Sequence, residues 1–336
     1  MAEREIHLVT GASGRTGLAL CAELKSRGLY VRAVCNNDAI RPFLQQFAAE
    51  IVKADIRWPS DLPQVFSGAS FVYHLAGIVS IASRTSKELE DVNVLGMRNV
   101  LDACINARVR KLVYTGTVHT LPFTNNHAVL REIARYDPGA VDGPYAVSKA
   151  KASNMVLDAV KNKALDAVIA LPSGIVGGFE LKRSNFGQIV VDTAERKLPA
   201  FVTGRYDFVD VRDVARALAD LAEKGQAGES YILSGHITSV KELVETCAKA
   251  AGVPPPSLCL PLWLLKPFAA LTEIADALRK KKLTFTPYAL KVLSDNCNFS
   301  HEKISALTGY NPRPVSEALA EQVEFYFKEY KPYFAL

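Results

Sequence analysis

The sequence predicts an α/β protein with a doubly wound parallel sheet and a smaller, mainly helical C-terminal lobe that receives substrate. Three observations lead there. Short apolar runs alternate with amphipathic helical stretches from the start of the chain, and strands that alternate with helices lie parallel. A glycine-rich turn separates the first apolar run from the first helix. From Ser239 onward the pattern becomes mainly helical and richer in proline.

Bulk properties narrow the functional classes. The 336 residues suffice for one large domain or two ordinary ones. With 49% apolar and 22% charged residues, the chain belongs to the globular class. Lysine and arginine number 40 against 35 acidic residues, a net charge of +5 that is spread out, so a nucleic-acid surface is not expected. The six cysteines, Cys21, Cys35, Cys104, Cys247, Cys259 and Cys297, form no CxxC pair and have no histidine at metal-ligand spacing. Reduced, mostly buried thiols and no metal site are therefore expected. The N-terminus runs into an apolar strand without the apolar core of a signal peptide, so a cytoplasmic location is expected.

Ile6-His7-Leu8-Val9 reads as a buried strand, and a helix follows through about Arg27. Between them lies Thr10-Gly11-Ala12-Ser13-Gly14-Arg15-Thr16-Gly17. Glycines at 11, 14 and 17 permit a tight turn, close backbone approach to a pyrophosphate and close helix-to-strand packing, while the helix N-terminus offers N–H groups to the anion. This is the pattern of a Rossmann-type dinucleotide fold, with Gly11, Ser13, Gly14, Arg15, Thr16 and Gly17 around the cofactor. The second strand, Tyr30 to Cys35, ends in Asn36-Asn37-Asp38, where such a fold meets the adenosine ribose. Neither Cys35 nor Asn36 is acidic, and Arg15 and Arg41 can pair with a 2′-phosphate, so NADP(H) is preferred, with NAD(H) favoured if Asp38 takes the ribose hydroxyls.

The third strand, near residues 51–54, leads into Asp55-Ile56, and the fourth, Phe71 to His74, into Leu75-Ala76-Gly77. Loops at the carboxyl ends of parallel strands line the ligand crevice, which places these residues beside the cofactor. His74, preceded by apolar residues, reads as a packed histidine. A long helix from about Thr85 to Ala107 has more apolar residues than one stripe needs and is expected to be covered on two sides, a homodimer contact included. The fifth strand, Lys111 to Thr115, continues to Thr117 and His119, and hydroxyls at its end face the crevice.

Gly143-Pro144-Tyr145-Ala146-Val147-Ser148-Lys149 then opens a helix. Residues four apart share a helix face, so the Tyr145 phenol and the Lys149 amine can address one bound molecule, the ammonium bringing the phenol pKa nearer working range. A sixth strand, residues 167–171, ends in Pro172-Ser173. Beyond it, residues 179–204 read as a loop and a helix, Tyr206 to Val214 as the start of another helix, and residues 230–233 as a further strand. Residues 1–178, with 205–235 returning to them, are assigned to the dinucleotide-binding domain, and 179–204 with 236–336 to the substrate lobe.

In order and spacing, TGASGRTG at 10–17, HLAG at 74–77, NVLGMRNVLDAC at 93–104, YAVSK at 145–149, PSGIVG at 172–177, YDFVDVRDVA at 206–215 and the tail at 298–314 resemble the extended short-chain dehydrogenase/reductase superfamily. Nearly the whole chain is covered, and the likeness is greatest to the branch with 3β-hydroxysteroid dehydrogenases and dihydroflavonol reductases. The resemblance implies that Tyr145 donates and accepts the proton, that Lys149 binds the nicotinamide ribose, that Thr117 stands where a serine is usual, that Asn93 belongs to the active-site set, and that Pro172 and Ser173 touch the nicotinamide end. Arg15 departs from the family's usual aromatic residue, and Asn36 stands where many NADP-dependent relatives have arginine.

The expected activity is an alcohol/ketone oxidoreduction on a bulky hydrophobic molecule. A nucleotide-sugar epimerase or dehydratase with tightly held NAD is the first alternative, and a non-catalytic NADP-sensing protein the second. The apolar stretch 258–278 with its basic flank 279–282 reads as a substrate-lobe helix in preference to an interfacial helix on a membrane, because Lys266, Pro267, Glu273 and Asp276 interrupt it.

Overall fold

Aliphatic and aromatic runs become strands where both faces are covered. In this computed structural model, which describes residues 4–122, 128–265, 267, 269, 273 and 286–331, the chain begins with β1 (Ile6–Thr10), helix Arg15–Ser26, β2 (Tyr30–Val34) and β3 (Glu50–Val52). Strands β4 (Ala69–His74), β5 (Lys111–Thr115) and β6 (Ala167–Pro172) follow, then β7 (Gly174–Val176), β8 (Ala200–Val202), β9 (Arg205–Asp210), β10 (Ser230–Leu233), β11 (His236–Ser239) and β12 (Leu258–Leu260). Seven strands form one sheet in the order β10-β6-β5-β4-β1-β2-β3. Every pairing within it is parallel, so all the carboxyl ends open on one edge, as the alternation predicted. The order reverses direction beside β1, and it is at such a switch point that a crevice forms.

Helices cover both faces of this sheet. On one side Leu8, Val72, Leu112, Tyr114 and Ile169 pack with Met97, Val100, Ala150 and Val156; on the other Val9, Tyr73, Val113 and Val168 pack with Leu18, Cys21, Val214 and Leu218. Five of the six cysteines are buried and Cys259 is exposed, all as free thiols.

The expected helix 85–107 is divided into Lys87–Glu90, a π-helical turn Asp91–Leu95, and Gly96–Asn106. The wider turn coincides with Gly96, where a Cβ would stand 2.6 Å from Ile56 Cδ1. Residues 206–210 differ from expectation: they form β9, not the start of a helix. The strand is hydrogen-bonded on both sides, parallel to β7 and antiparallel to β11, and its residues Tyr206 to Asp210 are buried. Helix begins only at Val211, where Asp210 Oδ1 caps by accepting from the Arg212 N–H at 2.8 Å. Among the described residues no helix is long and apolar enough to cross a membrane. The expected apolar helix 258–278 opens instead as β12, paired parallel with β8, and its residues 266, 268, 270–272 and 274–278, with all of the basic run 279–282, lie outside the described residues.

Candidate active site

The glycine turn is built as its spacing required. Gly11 has φ +68°, and a Cβ there would meet the Ala76 nitrogen at 2.6 Å. At Gly17 a Cβ would fall 2.2 Å from the Gly11 carbonyl oxygen. The strand-to-helix turn and the 75–77 loop therefore touch backbone to backbone. Gly14 is the extended N-cap of helix Arg15–Ser26 and no side chain caps that end, which leaves helix N–H groups facing the crevice for an anion. The uncapped helix end fits a pyrophosphate, and the approach of Gly11 to Leu75 and Ala76 sets that loop against the turn. Ile56 is buried, its carbonyl accepting from Asn99 Nδ2 at 2.9 Å. Beside it Asp55 is held below the usual carboxylate range by its Arg57 hydrogen bonds, which outweigh its partial burial.

Four predicted side chains converge above this cradle. Tyr145, Lys149, Thr117 and Asn93 are all buried. The Thr117 hydroxyl stands near enough to the Tyr145 phenol to draw its pKa down, yet burial outweighs it and pushes the phenol up to about 12. Asn93, inside the π-helical turn, accepts from the Ile78 N–H at 2.8 Å and donates to the Ile78 carbonyl and to Ser148 Oγ, each at 3.0 Å. It thereby ties the loop after β4 to the helix Pro144–Lys161 that bears Tyr145.

Lys149 behaves differently from the expected partner of the phenol. Burial lowers its ammonium to about 7. Its Nζ donates to the Thr115 carbonyl at 2.8 Å and lies 4.8 Å from the centre of the Tyr114 ring. The Tyr145 shift is governed by burial, with Thr117 opposing it, so a depression of the phenol by Lys149 is not what this geometry displays. The amine points under the crevice floor: a Cβ on Gly77 would be 3.4 Å from Nζ and 3.2 Å from Asn93 Oδ1.

At the nicotinamide end, Pro172 closes β6 and the Ser173 N–H donates to the Leu233 carbonyl at 3.2 Å. Next to Ser173, burial pushes the Asp207 carboxyl up to about 6, with the nearby Ser173 hydroxyl and a hydrogen bond from the Gly235 N–H at 2.9 Å opposing it. At the ribose end, Asn36 and Asp38 are exposed, Asp38 pairs with Lys53 at 2.8 Å, and Arg41 donates to the Ile51 carbonyl at 3.4 Å. Arg15 is not there. Its guanidinium turns the other way, donating to the Ile175 carbonyl at 2.5 Å and pairing with Glu180. A carboxylate already satisfies the charge expected to await a 2′-phosphate.

Three residues that sequence reasoning left without a role complete the walls. His119 receives contacts from two phenols, Tyr206 Oη at 3.1 Å from Nε2 and Tyr288 Oη at 3.2 Å from Nδ1. Its ring stacks on Tyr206 and meets the Tyr145 ring edge-on, centroids 6.3 Å apart. Burial lowers the imidazole to about 4, so it is neutral at working pH. Tyr288 lies over Gly143, where a Cβ would be 3.0 Å from its ring. His119 had a signal, two residues past Thr117 on a crevice-lining strand end, whereas Tyr206 was concealed by the helical reading of 206–214. His74 is a packed residue, its Nδ1 2.8 Å from Thr10 Oγ1 and its ring stacked on Tyr114.

Known proteins share this fold and much of this sequence. Residues 7–234 match the model of the NAD dependent epimerase/dehydratase family. The chain is 29% identical over 327 residues to sterol demethylase protein B of Methylococcus capsulatus, covering 95% of this chain and 97% of that protein. It is 28% identical over 345 residues to 3 beta-hydroxysteroid dehydrogenase type 7 of Homo sapiens, covering 93% and 92%. The crystal structure of gox2253 superposes with a TM-score of 0.84 at 29% identity, over 97% of this chain and 98% of that one. The chain belongs to the NAD-dependent epimerase/dehydratase family, on its extended short-chain dehydrogenase/reductase branch.

Proposed function

We propose that this protein interconverts an alcohol and a ketone or aldehyde on a bulky hydrophobic molecule, with a sterol or steroid as the first class to test. It acts as an NAD(P)-dependent oxidoreductase. The bound nicotinamide supplies the hydride chemistry, and the protein supplies position and the proton. The observation that carries the reading is the approach of the Thr117 hydroxyl to the Tyr145 phenol beside a wall of His119, Tyr206 and Tyr288. Two hydroxyls converging on one place can hold a single substrate oxygen, and the neutral phenol can give it a proton. Lys149 and Asn93 carry the floor: the amine is assigned to the ribose, for which it would leave the Thr115 carbonyl, and the amide fixes the loop and helix on either side of it. The buried aromatic wall suits an apolar ring system better than a sugar nucleotide, which needs many polar partners. The names of the sterol and steroid relatives point the same way.

For the cofactor, Arg41 and Lys53 supply the positive charge at the ribose end, and Lys53 neutralises Asp38. On that balance NADP(H) is proposed ahead of NAD(H). Leu95 and Ile105 are exposed on the segment 91–106, the face through which a homodimer is proposed; a cytoplasmic location and the division into a dinucleotide domain and a substrate lobe complete the reading.

A titration with NADH and NADPH, followed by a screen of sterol and other hydrophobic alcohols and ketones, tests it. Turnover of a hydrophobic alcohol or ketone with added cofactor is expected. Protein that carries firmly bound NAD and converts sugar nucleotides, with no turnover of hydrophobic alcohols or ketones, would overturn it.

A further inference from the structure

Arg15 stands at the first position of helix Arg15–Ser26, directly after Gly14, yet its side chain reaches neither the ribose end nor solvent. It is joined to a segment more than a hundred residues away in sequence. The guanidinium donates to the Ile175 carbonyl at 2.5 Å and pairs with Glu180, the two side chains being 11% and 7% exposed. Glu180 is fixed on all sides. Its Oε1 accepts from the Ser184 N–H at 2.9 Å and the Ser184 hydroxyl at 2.6 Å, and its Oε2 accepts from Gln322 Nε2 at 2.8 Å. Gln322 Oε1 in turn accepts from the Gly177 N–H at 3.1 Å. Only glycine at 187 leaves the carboxylate room, since a Cβ there would fall 1.9 Å from Oε2. Burial alone would raise the Glu180 carboxyl, but Arg15 and Ser184 hold it below its ordinary value, so the carboxylate is ionised at neutral pH.

The position of this network gives it a consequence. Segment 174–184 leaves the sheet immediately after Pro172 and Ser173, the nicotinamide end of the crevice, and runs to the cap of helix Asn185–Ala194. Arg15 leaves from the pyrophosphate end. The Arg15–Glu180 pair therefore ties the turn assigned to the pyrophosphate to the segment that follows the strand end assigned to the nicotinamide, and helix Val315–Phe325 anchors it through Gln322.

We propose that Glu180 is a positioning residue for the cofactor, holding Arg15 so that segment 174–184 is strapped across the glycine turn. This rests on the dinucleotide reading given above. Arg15 then serves closure, not discrimination: the strap resists the exit of NAD(H) and NADP(H) equally, because neither end of the pair faces the 2′ position.

Displacement of NADH and of NADPH from the full chain, followed by stopped-flow fluorescence, reads the strap directly. Glu180→Gln and Arg15→Met are expected to raise both dissociation rates by about tenfold, since truncating one partner of a buried charge pair acts on dissociation. The NADPH/NADH affinity ratio should stay unchanged, and Arg15→Lys should recover part of the loss, because a lysine keeps the charge without the fork that serves carbonyl and carboxylate together. Unchanged rates overturn the proposal, and so does a loss confined to NADPH, which would return Arg15 to the 2′-phosphate. Hydrogen exchange of the wild-type chain, free of cofactor, needs no variant. The amides of Gly177 and Ser184 should be protected there, and fast exchange at both overturns the proposal even if the variants fail to fold. If neither cofactor binds, the dinucleotide reading has failed, while exchange still decides whether the strap exists.

Discussion

The hydroxyl of Thr117, just past the fifth strand, stands beside the phenol of Tyr145 in the first turn of helix Pro144–Lys161, near enough to draw the phenol's pKa down against burial. Elements that meet nowhere in the sequence thus bring two O–H groups to one point. Thr117 itself is held by its local backbone, its Oγ1 accepting from the His119 N–H at 3.3 Å.

Thr117→Val keeps the shape and removes the hydroxyl. With one of two donors to the substrate oxygen gone, kcat should fall by about a hundredfold while cofactor affinity holds. Thr117→Ser should stay within a few-fold of wild type, because only a rotamer-fixing methyl is lost. Steady-state kinetics of the two variants checks this.

Burial lowers the Lys149 ammonium from 10.5 to about 7. Between those values the unfolded chain holds more protons than the folded one, so the stability of the cofactor-free protein should rise with pH across that window. Below about pH 7 both states are protonated and the slope from this group vanishes. Urea denaturation at about pH 7.5 and about pH 9.5 should show the rise in wild type and a smaller one in Lys149→Met.

His119 holds two phenols at once. A neutral imidazole has one donor and one acceptor, so one tyrosine donates to it and the other accepts from it. His119→Ala leaves both phenols without that partner and should raise KM for hydrophobic substrate more than it lowers kcat, with cofactor affinity unchanged. His119→Gln, which retains one polar partner, should recover part of the loss.

Gly17→Ala puts a methyl 2.2 Å from the Gly11 carbonyl oxygen and 2.7 Å from the Ala12 Cα. Neither is the end of a flexible side chain, so the turn must deform. Thermal denaturation should report a loss of about 3 kcal/mol, and titration with NADH or NADPH a severe loss of affinity.

The parallel sheet, the glycine turn and the Tyr145–Lys149 spacing were legible because each rests on local rules: alternation of apolar runs, the φ freedom of glycine, and the helical repeat. Thr117 was marked by its place at a strand end as well as by motif resemblance, and Asn93 by resemblance alone; the structure ties Asn93 to the helix that bears Tyr145 through Ser148. Arg15 was misplaced because its partner, Glu180, is remote in sequence, and nothing local announces a buried ion pair. β9 was read as helix because its helix-capping Asp210 follows an aromatic run without a gap. Tyr288 had no signal at all, since its place over Gly143 depends on the path of the C-terminal segment. The expectation that Lys149 lowers the Tyr145 pKa failed for a physical reason: spacing puts two groups on one face, but burial decides their protonation.

The central claim is that Tyr145 moves the proton of an alcohol/ketone reaction, and the most direct measurement is turnover by Tyr145→Phe with cofactor affinity measured alongside. Loss of a positioned acid costs about 10²–10⁴-fold, so kcat should fall by at least that much while NADPH or NADH binds as in wild type. Undiminished turnover in that variant would contradict the assignment.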